Sequence, residues 1–569
     1  MTEFLLVFAL AIALGWPLGR YLAAVMRGAP MRGDRLFGLI ERPLYALLGV
    51  DPSHGMGWKG YAKAFLLSNL VLGVIVWVVL MTQAWLPLNP NGIPNMRWDL
   101  ALHTMVSFLT NTNQQHYSGQ AQLSYLAHAS AIVGLQVITP MMGLALVAAT
   151  LRGLFGGREK KDATADTTAN GEADVGNYWA DVIRPAVRFL LPLCLVWSLT
   201  LTSQGVPATF DGGPVATPID ASAGMTEQKI ALGPVSPMVA VKQLGTNGGG
   251  WYGPNSAVSL ENPTPFSNLL ETLAIILIPV SIAFMVSGFT GRKKFTALVF
   301  GTMLTMSLVS AGAAVWSESL SGTSSDIALM EGKEVRFGAA PSALWGALTT
   351  QTSNGSVNAM HDSLAPLTGL VTTSNMLVNS IWGGIGCGLQ QFLVYLLLSV
   401  FLAGLMTGRT PELFGRKIEA HEVKLLAALV LLQPLALLAF TAITLAVPSI
   451  TGNSNPSFHG ISQVFYEYTS AFANNGSGFE GLGDATYWWN LSTSLMLALG
   501  RYPALIIPLA IAGSLARKRA TPEGPGTLKV ETPTFALTLI AVVVILTLLQ
   551  FMPVLVLGPV ADHLALSAL

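Results

Sequence analysis

The chain has 569 residues, is 52% hydrophobic and only 11% charged, with a mean hydropathy of +0.55. Soluble domains carry about a quarter charged residues, so this composition belongs to the membrane class. The zero formal net charge gives no basis for nucleic-acid binding. Cys194 and Cys387 both lie in apolar segments, which argues against a disulfide framework, and their spacing resembles no metal site.

The first apolar run, MTEFLLVFALAIALGWPLGRYLAAVM, carries Glu3 ahead of it and its first cation, Arg20, behind it. No small-residue cleavage site is evident, so it reads as a retained span rather than a signal peptide. A bilayer-crossing helix needs roughly 20 apolar residues. Ten segments qualify: 3–26, 63–86, 121–151, 178–203, 266–290, 295–317, 369–407, 422–447, 486–514 and 533–556. The expected fold is an all-α polytopic membrane protein with ten transmembrane helices. Between spans three and four, the hydrophilic stretch from Gly157 to Asn177 suits either disorder or partner docking. The long stretch from Gly205 to Pro234 is expected to cap the mouth. Span seven is too long for one helix and contains WGGIGCG, Trp382 to Gly388, where a break is expected. Broken helices line transport pathways; tight helix packing by small residues is the alternative.

Ten spans put both termini on one side. Of the 30 Lys and Arg, 21 then fall on the segments of the opposite side and 5 on the terminal side. The positive-inside rule makes the Lys/Arg-rich side cytoplasmic and both termini outside.

The outer connections share a polar sentence: TNTNQQHYSG (Thr110 to Gly119), GTNGGG (Gly245 to Gly250), TTQTSNGSVNAMHDS (Thr349 to Ser363) and SAFANNGSGFEGLG (Ser470 to Gly483). Setting Asn113, Asn247, Asn354 and Asn475 in register makes an internal repeat. Each stretch follows a short apolar segment: WDLALHTMVSFL, SPMVAVKQL, PSALWGALT or ISQVFYEYTSAF. These are too short to span and suit re-entrant helices. Four pseudo-repeated units of span, pore helix, filter loop and span follow, using spans two to nine.

Irregular backbone is tolerated at membrane depth where it lines a watery cavity. Four such loops around an axis aim carbonyl oxygens at a dehydrated cation. Glycine supplies the positive φ angles this needs, and inward helix C-termini add negative potential. No carboxylate sits in the central registers, which favours a monovalent cation. GTNGGG lacks the Lys-Ser/Thr ending of a phosphate-binding loop. Ordinary polar outer loops would explain one such stretch but not four in register. Arg501, within span nine, reads either as a charge below the filter or as a structural arginine paired with Glu467 or a carbonyl. No catalytic set is visible, and the histidines lack metal-ligand spacing.

At the level of whole motifs, TNTNQQHYSG, LGTNGGGWYGPNSAVSLENPT, MEGKEVRFG, NAMHDS, AGLMTGRTPELFGRKIE, ANNGSGFEGL and GRYPALIIPLAIAGSL resemble the potassium-binding A subunits of bacterial Kdp potassium-transporting ATPases. The resemblance covers nearly the whole chain. It implies a channel-like fold of the potassium transporter superfamily and K⁺ as the transported ion, with no organic cofactor. It further implies a complex with a P-type ATPase B subunit, a C subunit and a small F subunit in the bacterial inner membrane. In such a complex this chain is no enzyme by itself, and ATP hydrolysis resides in B. Carried over by position, the filter uses Thr112, Asn113 and Gln115; Thr246, Asn247, Gly248 and Gly249; Ser353, Asn354 and Gly355; and Asn474, Asn475 and Gly476. Arg501 would match the family's buried arginine, and Gly383, Gly384, Gly386 and Gly388 are expected, from the broken-helix composition alone, to form a gate beneath the filter. The family usually has Trp and Ser where this chain has Gln114 and His116, and often Cys at Asn354. Gln stands in the first loop where a symmetric filter has Gly, so one wall is expected to differ.

The expected organisation is an extra span and loop (1–62), pore units at 63–152, 153–292, 293–420 and 421–520, and a last extra span (521–569). The expected function is K⁺ capture from outside and delivery to an ATP-driven partner. The alternative is a self-sufficient K⁺/Na⁺ channel-like transporter gated by a cytosolic ring. A non-transporting scaffold is a third possibility.

Overall fold

The computed structural model describes residues 2–156, 173–220, 222, 224–320, 330–522, 524 and 527–567. Among them, ten helices are long and apolar enough to cross a membrane, and all ten match the expected spans in order. Most of the expected stretch from Gly157 to Asn177 lies outside the described residues.

Span one (Thr2–Met26) packs against span five (Pro265–Thr290) through small residues. A Cβ on Gly15 would lie 2.7 Å from Val280, and one on Gly19 only 2.4 Å from the Ser281 carbonyl oxygen. These two glycines form a GxxxG face, which allows close backbone approach where no hydrophobic force drives helices together in lipid. Span five begins with a capping box, in which Thr264 and Ser267 satisfy each other's backbone amides and Pro265 follows. That arrangement fixes its start. It ends at Gly291 in the left-handed conformation, and span six (Lys293–Leu320) begins two residues later.

Spans three (Tyr125–Phe155) and five are the most enclosed by protein, whereas spans one and ten (Pro533–Leu566) keep broad apolar faces outward. On the expected cytoplasmic side, Arg416 donates to the carbonyls of Gly153, Leu154 and Gly156 at 2.7–3.0 Å. A guanidinium thus closes the C-terminal end of span three, where the helix dipole is negative. Between spans one and two, where only a loop was expected, lies the amphipathic helix Asp34–Leu48. Its Leu36, Leu39, Ile40 and Leu47 are exposed, while Glu41 and Asp34 face Arg188 at 2.5 and 2.6 Å.

A shorter helix sits in each connection expected on the outer side: Trp98–Leu109, Val235–Leu244, Ala339–Gln351 and Ser457–Phe472. Each is mostly buried, although Asp99, His103, Lys242 and Glu467 lie on them. Span seven is broken as expected, into Pro366–Val378 and Cys387–Met406. The stretch from Gly205 to Pro234 forms a small antiparallel hairpin, Val215–Ala216 with Gln228–Lys229. The stretch packs on Pro90, Asn91 and Tyr125.

Candidate functional site

The four polar loops begin in one way. The amide of Thr112 donates to the Ser107 carbonyl at 2.9 Å, that of Asn247 to Lys242 at 2.8 Å, that of Asn354 to Thr349 at 3.2 Å, and that of Asn475 to Ser470 at 2.9 Å. Each bond reaches five residues back to the last turn of the preceding short helix. Positive φ follows the same frame: Asn111 and Asn113, Thr246 and Gly248, Ser353 and Gly355, Asn474 and Gly476. The structural register therefore aligns Thr112, not Asn113, with Asn247, Asn354 and Asn475. Residue identity pairs Asn with Asn, whereas the backbone pairs conformation with conformation.

This register closes a ring. A Cβ on Gly248 would lie 1.8 Å from the Asn354 carbonyl oxygen, one on Gly355 2.1 Å from that of Asn475, and one on Gly476 2.2 Å from that of Thr112. Each loop thus presses its glycine onto a carbonyl of the next. A side chain would meet both the steric wall and the left-handed φ. At the fourth junction the glycine position is held by Asn113, with φ 56°. Its side-chain Nδ2 donates to the Gly249 carbonyl at 3.4 Å, and its buried Oδ1 has no partner. One wall does differ, as expected, but the departing residue is Asn113. The expectation had assigned it to the Gln that follows.

Side chains hold the ring from behind. Asn354 Nδ2 donates to the Lys242 carbonyl at 3.2 Å, and Asn475 Nδ2 to the Thr349 carbonyl at 2.8 Å. Asn111 Nδ2 donates to the Thr246 carbonyl at 3.0 Å, and Gln136 Nε2 to that of Gly249 at 2.6 Å. Ser353 Oγ donates to Asn379 Oδ1 at 3.0 Å, and Asn474 Nδ2 to the Leu497 carbonyl at 3.1 Å. Buried polar groups cost free energy unless paired, so this shell both satisfies the loops and fixes them. No carboxylate belongs to the ring residues themselves.

Charge lies one layer out. Lys242, fully buried, pairs with Glu261 and donates to Asn255 Oδ1 at 2.6 Å and Ser256 Oγ at 3.0 Å. Removing either member of such a buried pair costs about 3–5 kcal/mol. Gln243 links this cluster to Glu271 at 2.9 Å and to Ser356 of the third loop at 2.9 Å. In the sequence Lys242 is one of the five cations on the side of the termini. Its place within an apolar ten-residue helix was the available signal, because ionisable residues at membrane depth mark functional regions.

Above the ring a cavity of about 520 Å³ is lined by Asn113, Gln115, His116, Gly355, Gly476 and Asp484, among others. Gln115 belongs to this vestibule: its Oε1 accepts from the Gly250 amide at 2.8 Å and from Asn255 Nδ2 at 3.2 Å. Gln115 is therefore two positions past the ring.

Below the ring lies the break in span seven. Gly383 and Gly386 have φ of 60° and 86°. The amides of Trp382 and Gly383 donate to the Gln351 carbonyl at 3.1 and 2.7 Å, and that of Ile385 to Thr246 Oγ1 at 3.2 Å. A Cβ on Gly384 would come within 3.2 Å of Ser353. Gly386 abuts the Gly143 carbonyl in span three, and Gly388 abuts the carbonyl of Trp382. Arg501 is buried beside the second half-helix, with Nη1 2.5 Å from Cys387 Sγ and Nη2 donating to the Thr139 carbonyl at 3.3 Å. Its described partners include a carbonyl, one of the two expected structural partners. Glu467 instead meets Gln114 and His116.

The sequence profile described as "Potassium-transporting ATPase A subunit" matches residues 5–564. The potassium-transporting ATPase potassium-binding subunit of Gloeobacter violaceus is 46% identical over 96% of this chain and 95% of its own length. Its namesake in Bacteroides fragilis is 41% identical over 98% of both chains. Among solved structures, the potassium transporter TrkH of Vibrio parahaemolyticus has a similar fold. Its TM-score is 0.50 at 14% sequence identity, over 87% of this chain and 96% of that one.

Proposed function

The chain belongs to the potassium-transporting ATPase A subunit family, and from that premise we propose that it selects K⁺ from the outer side in the four-loop ring and passes it to an ATP-hydrolysing P-type partner for high-affinity import. The observation that carries this reading is the ring itself: four loops in one backbone register, each glycine or its substitute against its neighbour. Carbonyls on such an axis replace the hydration shell of a cation. Helix C-termini supply negative potential without a fixed charge that would bind a divalent ion too tightly.

In this reading the ion meets oxygens of Thr112 and Asn113, Thr246 to Gly249, Ser353 to Gly355, and Asn474 to Gly476. Gln115 shapes the entrance. The break from Gly383 to Gly388 is the gate, and Arg501 is the positive charge beneath it. The pore units at 63–152, 153–292, 293–420 and 421–520 surround the axis. Both termini face outward across a bacterial inner membrane. The chain hydrolyses no ATP itself; a B subunit does so, accompanied by C and small F subunits.

The test is ATPase activity of the complex purified from membranes, titrated with K⁺ and then Na⁺. Stimulation by low K⁺ and not by Na⁺ is expected. An absent ATPase partner, or equal response to both ions, would overturn the reading and favour a self-sufficient transporter.

A further inference from the structure

His116, Glu467 and Asp484 converge beside the vestibule from three segments of the chain: the first loop, the fourth short helix, and the turn before span nine (Tyr487–Ala516). His116 Nε2 lies 3.3 Å from Glu467 Oε1 and 3.8 Å from Asp484 Oδ2, and one donor atom from each residue falls within 4.8 Å of the others. We propose that these three side chains bind a divalent transition cation of the Zn²⁺ class at the outer entrance of the pore.

A chain of hydrogen bonds sets the imidazole. Arg97 grips Asp99 at 2.5 and 2.8 Å, Asn490 Nδ2 donates to Asp99 Oδ2 at 2.8 Å, and Asn490 Oδ1 faces His116 Nδ1 at 2.7 Å. Because Asn490 spends its N–H on Asp99, its oxygen accepts from His116 Nδ1–H. Nε2 is then the atom turned toward the two carboxylates. In the neutral ring that is a lone pair facing two anions, an arrangement that calls for a cation between them. A ring nitrogen oriented through its other N–H is the usual outer-shell support of a metal-binding histidine.

A second observation points the same way. Gln114 is buried, its amide nitrogen is bonded to Glu467, and its Oε1 has no partner. That amide holds Glu467 Oε1 beside His116 Nε2. One imidazole with two carboxylates suits Zn²⁺ or a neighbouring first-row dication, whereas Mg²⁺ and Ca²⁺ prefer all-oxygen shells. Asp484, whose side chain retains 30% of its exposure, is the member of the cluster reached from the vestibule, which His116 also lines. His116 stands three residues past Asn113 of the ring, so a dication here raises the potential at the mouth. The consequence, slower K⁺ entry, rests on the potassium reading; the binding itself does not.

The experiment is titration of the untagged, purified membrane protein with ZnCl₂ by calorimetry, with a zinc-edge anomalous map for location. Wild type should take up a single tight equivalent with its anomalous peak between His116, Glu467 and Asp484. His116→Ser should weaken that site by about a hundredfold. Asp484→Asn, a more exposed change that keeps shape, should weaken it measurably and covers the case in which the histidine variant misfolds. No tight equivalent in wild type would overturn the proposal and mean that a proton alone holds the cluster. A tight equivalent untouched by either substitution, or a peak elsewhere, would also overturn it.

Discussion

Gly248, Gly355 and Gly476 in the ring each touch a backbone carbonyl of a different loop. Gly383 and Gly388 in the break touch each other and Trp382, and only Gly386 leans on another span, at Gly143. Both regions are glycine-rich and both use positive φ. The ring repeats its contact around an axis, so moving one loop moves its neighbour. The break occurs once, is folded largely on itself, and is held by three amide hydrogen bonds, two to the Gln351 carbonyl at the end of the third short helix and one to Thr246 Oγ1 of the ring. Glycine in the ring serves close approach and rigidity; glycine in the break serves a fold that a few bonds hold in place. On the proposed reading, selectivity belongs with the first and gating with the second.

The sharpest way to break this comparison is Gly248→Asp. Its Cβ would fall 1.8 Å from the Asn354 carbonyl at φ 89°, and it adds a charge. Backbone strain of about 1–3 kcal/mol and the displaced carbonyl should weaken apparent K⁺ affinity by about a hundredfold. Wild-type K⁺ titration of the variant's ATPase activity would remove the ring from the pathway.

Next is Arg501→Ala, beneath the break. It removes a buried guanidinium from Cys387 and the Thr139 carbonyl. Ion leak or apparent affinity should change by about tenfold, a difference of roughly 1.4 kcal/mol, while the protein stays folded by thermal unfolding. Unchanged transport would leave Arg501 a purely structural residue.

A smaller effect is expected from Asn113→Gly, which makes the fourth junction like the other three. It removes the unpartnered buried Oδ1 and relaxes a non-glycine left-handed residue. Affinity should shift by less than about tenfold, with the K⁺/Na⁺ preference retained. A collapse of selectivity would show that the asymmetric wall, rather than the shared register, sets the choice of ion.

The smallest effect is on stability. His459 bridges Asp362 at 2.8 Å and Asp562 at 2.9 Å, with Gln463 also on Asp362 and Glu480 on the Asp362 amide. The hydrogen bond to Asp362, followed in size by the opposing effect of burial, leaves its pKa above the ordinary value of about 6.5. A raised folded-state pKa contributes stability that is full below the unfolded value and is lost as pH rises through the folded one. His459→Gln should therefore lower the melting temperature more at pH 6 than at pH 9. An equal loss at both would contradict the charged bridge.

The spans were legible because twenty apolar residues in a row have one reading, and even the break in span seven announced itself as WGGIGCG. The short helices were legible from their length. The register was not. Thr112 occupies a position that is Asn in the other loops, and only the bond to Ser107 reveals the frame. Nor was the asymmetric junction, since Asn113 adopts a conformation usually left to glycine. The outer charge layer was hidden because Lys242 and Glu261 are far enough apart in sequence to read as separate loop charges, and they become one pair only on folding.

The most direct measurement is anomalous scattering from Rb⁺ exchanged for K⁺ in crystals of the purified complex. The account predicts a peak enclosed by the loops at 112–113, 247–248, 354–355 and 475–476. A ring without density, with Rb⁺ ordered elsewhere in the chain, would contradict it.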